Sequence, residues 1–381
     1  MNNLRVLIVQ PYVPEYRVPL FDALSTRLRG QGIDLLVAVG SPQGADAARG
    51  DAVQGLPWAL HLQERYCRVL GRTLRRRLIG SSLASYMPTH IIVEQALHNL
   101  DTYEIGIWAA RARVPVAMWG HGSTYTVKHS RLQATLKNWL TRRSSWFFAY
   151  THGGREYLVA HGYPSSRISV LRNSTDTAAL RRDMSSLGAE DVALFQVEHD
   201  IPPGKSALFL GGLDDRKGLP FLLAAVEQVA ADVPGFVLML GGDGLLAENL
   251  RAKQKSGAPI RVLGRLEGQD RAAALATATV LAIPEWIGLV AVDSLASGVP
   301  IVTTQHQHHA PEFEYLVDGS NCVVTAHTVA AYAQGLVELM KTPERRRALS
   351  SQAVEDSAGL STEDMADRFA AGIIHWTTAT A

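Results

Sequence analysis

The sequence predicts an α/β protein of two Rossmann-like parallel-sheet domains facing a cleft. Three observations carry this expectation. Short continuous apolar runs alternate with longer amphipathic stretches, as strands buried on both faces between helices require. The alternation breaks off in a polar stretch and restarts after residue 200. Glycine-rich turns follow the apolar runs in both halves, at the strand ends where open parallel sheets bind ligands.

In the first half the runs RVLIVQ (5–10), DLLVAVG (34–40), HIIVEQ (90–95), VPVAMWG (114–120), SWFFAY (145–150) and RISVLRN (167–173) read as buried strands. The stretches 21–32 and 99–113 read as helices between them. In the second half SALFLGG (206–212), FVLMLGG (236–242), IRVLGR (260–265), VLAIPE (280–285) and VPIVTT (299–304) are the strands. The polar segment 176–205, ending in Pro-Pro-Gly, reads as a hinge. The expected division is therefore 1–175, a hinge at 176–205, a second domain at 206–360, and a last amphipathic helix at 361–381.

The 381 residues are 47% hydrophobic and 19% charged, an ordinary globular composition. The net charge of +1 conceals a basic first half, with 23 Lys/Arg against 16 Asp/Glu, and an acidic second half, with 14 against 20. That asymmetry points to domains with different partners and gives no footprint for nucleic acid. Two cysteines, Cys67 and Cys322, exclude a disulfide framework and a cysteine metal site, and fit a reducing cytoplasm. The first apolar run is too short for a signal-peptide core, and no stretch is long enough to span a bilayer.

The site candidates follow strands: Gly120-His121-Gly122, Gly211-Gly212, Gly241-Gly242-Asp243-Gly244, Gly264-Arg265 and Gly288. Glu285 and Asp293 flank a Gly-Leu-Val turn that opens a helix. A helix start presents backbone N–H groups to an anion, and acids on either side of it can hold hydroxyls. That combination suits a nucleotide-sugar. Acids also favour helix N-termini for purely structural reasons.

Together the motifs resemble the retaining family-four glycosyltransferases, glycogen-synthase- and mannosyltransferase-like enzymes of the two-domain GT-B fold. The resemblance rests on FLGGLDDRKGLPFLL, Asn173-Ser174-Thr175-Asp176, the GGDG turn, Gly264-Arg265 and the pair Glu285 and Asp293, in that family's order along the chain. It implies transfer of a sugar from a UDP- or GDP-type donor to an acceptor hydroxyl, with no cofactor and no metal. Lys217 would neutralise the donor diphosphate, Glu285 hold donor-sugar hydroxyls and Asp293 accept from the ribose. The N–H groups of Gly288, Leu289 and Val290 would meet the phosphate and sugar. Gly264 and Arg265 would flank the base, and His121 contact the donor sugar from the first domain. It also implies that the last helix crosses back to the first domain.

There are departures. Gly212 stands where the family has Arg, with Arg216 the nearest replacement, and Asp293 is one carbon shorter than the usual Glu. The first loop, PYVPEYRVPLF, lacks paired glycines; Tyr16 and Arg17 are the acceptor-side candidates there, with Arg17 expected on an acceptor phosphate or the donor pyrophosphate. Gln305-His306-Gln307-His308-His309 offers nitrogen ligands, but neighbouring histidines in a strand-end loop commonly bind nothing, so no metal is expected; His309 and Glu312 would shape the donor side. The basic, apolar segments 67–81 and 127–146 suit helices lying on an anionic membrane. Both lie in the first half and favour a lipid-linked acceptor reached at the inner face of the membrane; a glycan or small-molecule acceptor met in the cytoplasm stays open. The rival readings are a nucleotide-sugar epimerase, phosphorylase or pseudo-glycosyltransferase of the same two-domain fold, a nucleotide-sugar-binding partner subunit impaired by Gly212 and Asp293, and a nicotinamide dehydrogenase, for which GGDGLL lacks the third glycine; no phosphate-site or pyridoxal-lysine signature supports the phosphorylase.

Overall fold

The computed structural model describes residues 4–42, 47, 50–69, 72–96, 99–122 and 131–380. The chain divides into two compact units. The first is Met1–Asn173 with Thr362–Ala381, and the second is Ser174–Ser361.

The first unit is built on a seven-stranded parallel sheet. Its strands are β1 (Leu4–Gln10), β2 (Ile33–Val39) and β3 (Ala59–His61), then, after a hairpin of β4 (Glu64–Val69) and β5 (Arg72–Arg77), β6 (His90–Glu94), β7 (Val116–Gly120), β8 (Trp146–Ala149) and β9 (Ile168–Val170). The spatial order is β3-β2-β1-β6-β7-β8-β9. Alternate residues of β1 enter separate cores. Val6 and Ile8 pack with the C-terminal helix Thr362–Ala379, and Leu7 and Val9 with the opposite layer. A strand buried on both faces needs this continuous apolar run. The C-terminal helix inserts Phe369 against Trp119 and Phe148, with ring centroids 5.0 and 4.8 Å apart.

The second unit holds β10 (Ser206–Leu210), β11 (Val237–Gly241), β12 (Ile260–Gly264), β13 (Val280–Ala282), β14 (Ile301–Thr304) and β15 (Cys322–Thr325). Their order is β12-β11-β10-β13-β14-β15, all parallel. The chain builds outward from β10 in one direction and then from β13 in the other. The crevice at the carboxyl ends of β10 and β13 is therefore the switch point, where such sheets bind ligands.

Two expectations need correction. Residues 176–205 are not a hinge: Thr177–Ser186 and Ala189–Glu198 are helices of the second unit, and Leu180 and Phe195 enter its core. Segment 67–81 is not a membrane-surface helix; most of it is the β4–β5 hairpin, with a helix starting only at Gly80. Two hairpin arginines are spent inward. Arg77 is buried with Asp101, Nη2 to Oδ2 2.7 Å, and Arg75 faces Glu64 at 3.9 Å. In segment 127–146 the helix Arg131–Arg142 is present, while 127–130 lie outside the described residues.

Candidate functional site

In the second unit, three strand-end loops are locked together by backbone bonds. Gly211 N–H donates to Gly241 O at 3.0 Å, Gly242 N–H to Gly264 O at 2.7 Å, and Leu213 N–H to Asp243 O at 2.9 Å. A Cβ on Gly242 would lie 1.9 Å from Gly211 O, so only glycine permits this approach. Gly212 and Gly264 belong to this frame. Arg265 ion-pairs with Glu267, and the side chain of Arg216 is outside what is described.

Lys217 ends the short 3₁₀ turn Asp215–Lys217 after β10. Its Nζ runs beside Gly211 and donates to Trp286 O at 3.1 Å. Trp286 has φ 50°, a left-handed conformation rare for a bulky residue. The following turn is therefore held in a sparsely populated geometry that presents its carbonyl to Lys217. Glu285, immediately before it, is 18% exposed and lies over Gly218. His309, buried, secures the turn from below. It accepts from Ile287 N–H at Nδ1, 3.1 Å, and its Nε2–H donates to Thr304 O at 3.0 Å. Those two bonds fix its tautomer, and burial first of all pushes its pKa down to about 4. Glu312 is buried beneath Gly288.

The helix Val290–Ser297 follows. Its backbone ladder begins with Ala291 N–H to Gly288 O at 2.9 Å, so the N–H groups of Gly288, Leu289 and Val290 precede it at the positive end of the helix. Asp293 is 8% exposed. Its Oδ1 accepts from Thr175 Oγ1 at 3.2 Å and ion-pairs with Arg271. The contact to Arg271 was not foreseen. Lys217, Glu285, the Gly288–Val290 turn and Asp293 are thus all placed at the β10/β13 switch point or on the helix that leaves it. The unit holds an ammonium, two carboxylates and a helix start in one neighbourhood, which is chemistry for a polyhydroxylated anion.

In the first unit, Arg17 departs from the expected phosphate-binding cation. It is 6% exposed, with Nη2 donating to Asn173 Oδ1 at 2.6 Å and Nη1 facing Met365 Sδ at 3.4 Å. Its guanidinium also lies 5.6 Å from the Trp119 ring centroid and 5.7 Å from that of Tyr150. Seated among aromatic rings, it ties the first loop to the end of β9 and to the C-terminal helix. Tyr16 stays exposed above it, 5.1 Å away. His121, just after β7, packs on Tyr150 at 4.7 Å. The surrounding protein desolvates its ring although the residue keeps a water-facing surface. Desolvation, then the charges of Lys137 and Arg17, lower its pKa, so the imidazole is neutral at pH 7.

Two family models match the chain in order: "Glycosyltransferase Family 4" over residues 20–179 and "Glycosyl transferases group 1" over 204–342. Among curated relatives, the Corynebacterium glutamicum GDP-mannose-dependent monoacylated alpha-(1-6)-phosphatidylinositol monomannoside mannosyltransferase is 31% identical over 36% of this chain and 38% of its own. The Mycobacterium leprae phosphatidyl-myo-inositol mannosyltransferase is 35% identical over 40% of this chain and 42% of its own. The matched region is thus well under half of either relative. Among solved structures, Anabaena HepE in complex with UDP superposes with TM-score 0.68 at 16% identity, covering 97% of this chain and 99% of that one. Sucrose-phosphate synthase from Thermosynechococcus elongatus gives 0.69 at 15% identity, covering 99% and 100%. A UDP-N-acetylglucosamine 2-epimerase from Listeria monocytogenes, described as putative, gives 0.67 at 16% identity over 100% and 98%.

Proposed function

Because the chain belongs to the family-four, group 1 glycosyltransferases and has their GT-B fold, we propose that it transfers a sugar from a nucleoside-diphosphate donor to an acceptor hydroxyl. The observation that carries the reading is the gathering of Lys217, Glu285 and the Gly288–Val290 helix start around the β10/β13 switch point. Lys217 and the turn N–H groups stabilise the negative charge that develops on the departing diphosphate. Glu285 orients the sugar hydroxyls, and Asp293 accepts from the ribose. The anomeric carbon loses its bond to the diphosphate oxygen and gains one to the acceptor oxygen on the same face. The acceptor's proton passes to the departing phosphate. Retention of configuration follows from that same-face course. Neutral His121 offers a sugar hydroxyl a hydrogen bond rather than a charge. No metal is called for in this scheme, because the ammonium and the N–H groups already meet the phosphates.

The acceptor we propose is a glycolipid. The relatives named above act on phosphatidylinositol-based acceptors by their descriptions, and the helix Arg131–Arg142 carries a half-exposed Trp139 with the Arg143 guanidinium 3.5 Å over its ring. An amphipathic pair of this kind suits an anionic membrane interface. No helix among the described residues is long and apolar enough to cross a membrane.

The test is a thermal-shift and turnover screen with GDP-mannose, UDP-glucose and the free nucleotides. One donor should raise the melting temperature, Lys217→Ala should abolish the shift, and the product's anomeric coupling should match the donor's. A shift without turnover on any acceptor would favour the donor-binding partner reading. Absence of any shift at millimolar nucleotide would refute the donor site.

A further inference from the structure

Three neighbouring parallel strands, β13, β14 and β15, each deliver one metal-ligating side chain just beyond their carboxyl ends: Glu285, His306 and His327. One ligand atom from each lies within 4.8 Å of the other two. Glu285 Oε1 is 3.5 Å from His327 Nε2, and Glu285 Oε2 is 3.8 Å from His306 Nε2. A good hydrogen bond between such atoms spans about 2.7–3.2 Å. A tetrahedral ion with ligands at about 2.0–2.1 Å holds them roughly 3.3 Å apart. The spacing is loose for direct bonds, and because the two distances end on different oxygens of Glu285, a small turn of the carboxylate and the imidazoles would close the three ligands around one ion.

The orientation of His327 points the same way. Its ring stacks on Phe221 at 4.8 Å with the planes 2° apart. Its Nδ1 is 2.9 Å from Thr304 Oγ1, and that hydroxyl donates its own proton to Pro284 O at 2.8 Å. The hydroxyl then accepts from Nδ1–H, and this bond turns the ring's Nε2 toward Glu285. A histidine held through Nδ1–H with Nε2 turned to a carboxylate is the arrangement that outer-shell partners impose on metal ligands. His306 lies beside it, ring centroids 5.1 Å apart; its Nδ1 receives His308 N–H at 3.3 Å, a long contact that metal binding through Nε2 would give up.

We propose that Glu285, His306 and His327 form a binding site for a zinc-class divalent cation, tying together the loops after three adjacent strands. Two imidazoles and one carboxylate select Zn²⁺, Co²⁺ or Ni²⁺ over Mg²⁺ and Ca²⁺, which prefer all-oxygen shells. The fourth position faces a small exogenous ligand. The expectation that no metal binds rests on the histidine run alone, which does not reveal His327 or Glu285 as partners. One consequence rests on the functional reading above: an ion held by Glu285 takes the carboxylate assigned to the donor sugar, so Zn²⁺ inhibits by competing with donor.

The test uses the full chain, stripped with chelator and titrated with Co²⁺ and then Zn²⁺, without nucleotide. One equivalent of Co²⁺ should develop the intense visible absorption of a tetrahedral site and be displaced by Zn²⁺. His327→Ala, whose parent side chain is 38% exposed and so dispensable for folding, should weaken binding at least tenfold. Glu285→Gln should do the same, and Thr304→Val should weaken it about tenfold by freeing the ring. His199→Ala, remote from the cluster, should change nothing. Failure to bind, or binding that survives His327→Ala and Glu285→Gln, would overturn the site and mark any uptake as adventitious. Saturable metal binding that leaves donor affinity unchanged would keep the site and overturn the donor role of Glu285 instead.

Discussion

Gly218→Ala is the perturbation that most directly tests how the turn after β10 serves Glu285. Gly218 caps the helix Leu219–Asp232 at φ 63° and ψ 28°, a left-handed conformation. An alanine there carries a backbone penalty of about 1–2 kcal/mol. Its Cβ would also stand 2.6 Å from Glu285 Cδ and 2.9 Å from Cγ and Oε1. The obstructed atoms are the end of a movable side chain, so the clash is relieved by turning Glu285 away rather than by breaking the fold. The backbone term predicts a fall of about 2–8 °C in the melting temperature of a unit of this size. Loss of the Glu285 carboxylate from the donor sugar removes a hydrogen bond to a charged group, worth about 1.5–3 kcal/mol, or roughly a tenfold to hundredfold rise in donor Kd.

The assay is donor binding by calorimetry, well below the melting temperature, on wild type, Gly218→Ala, Glu285→Ala and the double variant. If the glycine acts by making room for Glu285, the two binding penalties are not additive. The double variant then binds donor no more weakly than Glu285→Ala alone. Wild-type affinity in Gly218→Ala, or a penalty that persists in full without Glu285, would refute this reasoning.

Lys217→Ala should lower kcat/KM by about a hundredfold to a thousandfold, the scale of removing one leaving-group stabiliser, with a melting temperature near wild type; comparable activity of the alanine variant would contradict its role. Arg77→Met strands a fully buried Asp101 without its partner and should destabilise the first unit by about 3–5 kcal/mol, read by denaturant unfolding. Adding Asp101→Leu should recover much of that loss, and no recovery would show that packing rather than charge dominates. His90 is 4% exposed, between Thr89 Oγ1 and Thr380 Oγ1 at 3.0 Å each and edge-on to Trp376. Burial lowers its pKa from 6.5 to about 4, so its contribution is complete above pH 6.5 and is lost as pH falls toward 4. That amounts to about 3 kcal/mol by linkage. His90→Gln should flatten the acid limb of a pH–stability curve followed by tryptophan fluorescence, and an unchanged limb would refute the assignment.

The sheets were legible because a strand covered on both faces needs an uninterrupted apolar run, and β1, β6, β8, β10, β11 and β14 each supply one. β3 and β15 were missed for the same reason. ALH offers no run and NCVVT only a short one, and both take their place from neighbours through β2 and β14. The helices Thr177–Ser186 and Ala189–Glu198 looked like a linker because most of their residues face water. Few anchors, Leu180 and Phe195 among them, hold them to the second core. The hairpin misled in the opposite sense. Its arginines read as the charged face of a membrane helix, yet Arg75 and Arg77 sit on one face of a strand and point to acids brought in from Glu64 and Asp101. Only cross-strand pairing, invisible in a local window, distinguishes the two.

The site shows the same division between local and distant information. Lys217, Glu285 and the Gly288 turn were readable because each sits within a few residues of a strand end. Asp293 was readable as a position but not as an environment. Viewed alone, an aspartate in place of glutamate is a shortened reach that weakens a ribose contact. In the fold, its Oδ1 meets Arg271 from the preceding helix and Thr175 from the start of the second unit. The shorter acid is held in place at a helix start by a cation and a hydroxyl that the sequence gives no reason to bring together. A glutamate there would carry its carboxylate past both partners. Asp293→Glu should therefore lose the Arg271 pair before it gains reach, and weaken donor binding rather than restore it. Tighter donor binding by Asp293→Glu would show instead that Arg271 and Thr175 merely occupy a carboxylate whose length limits the site.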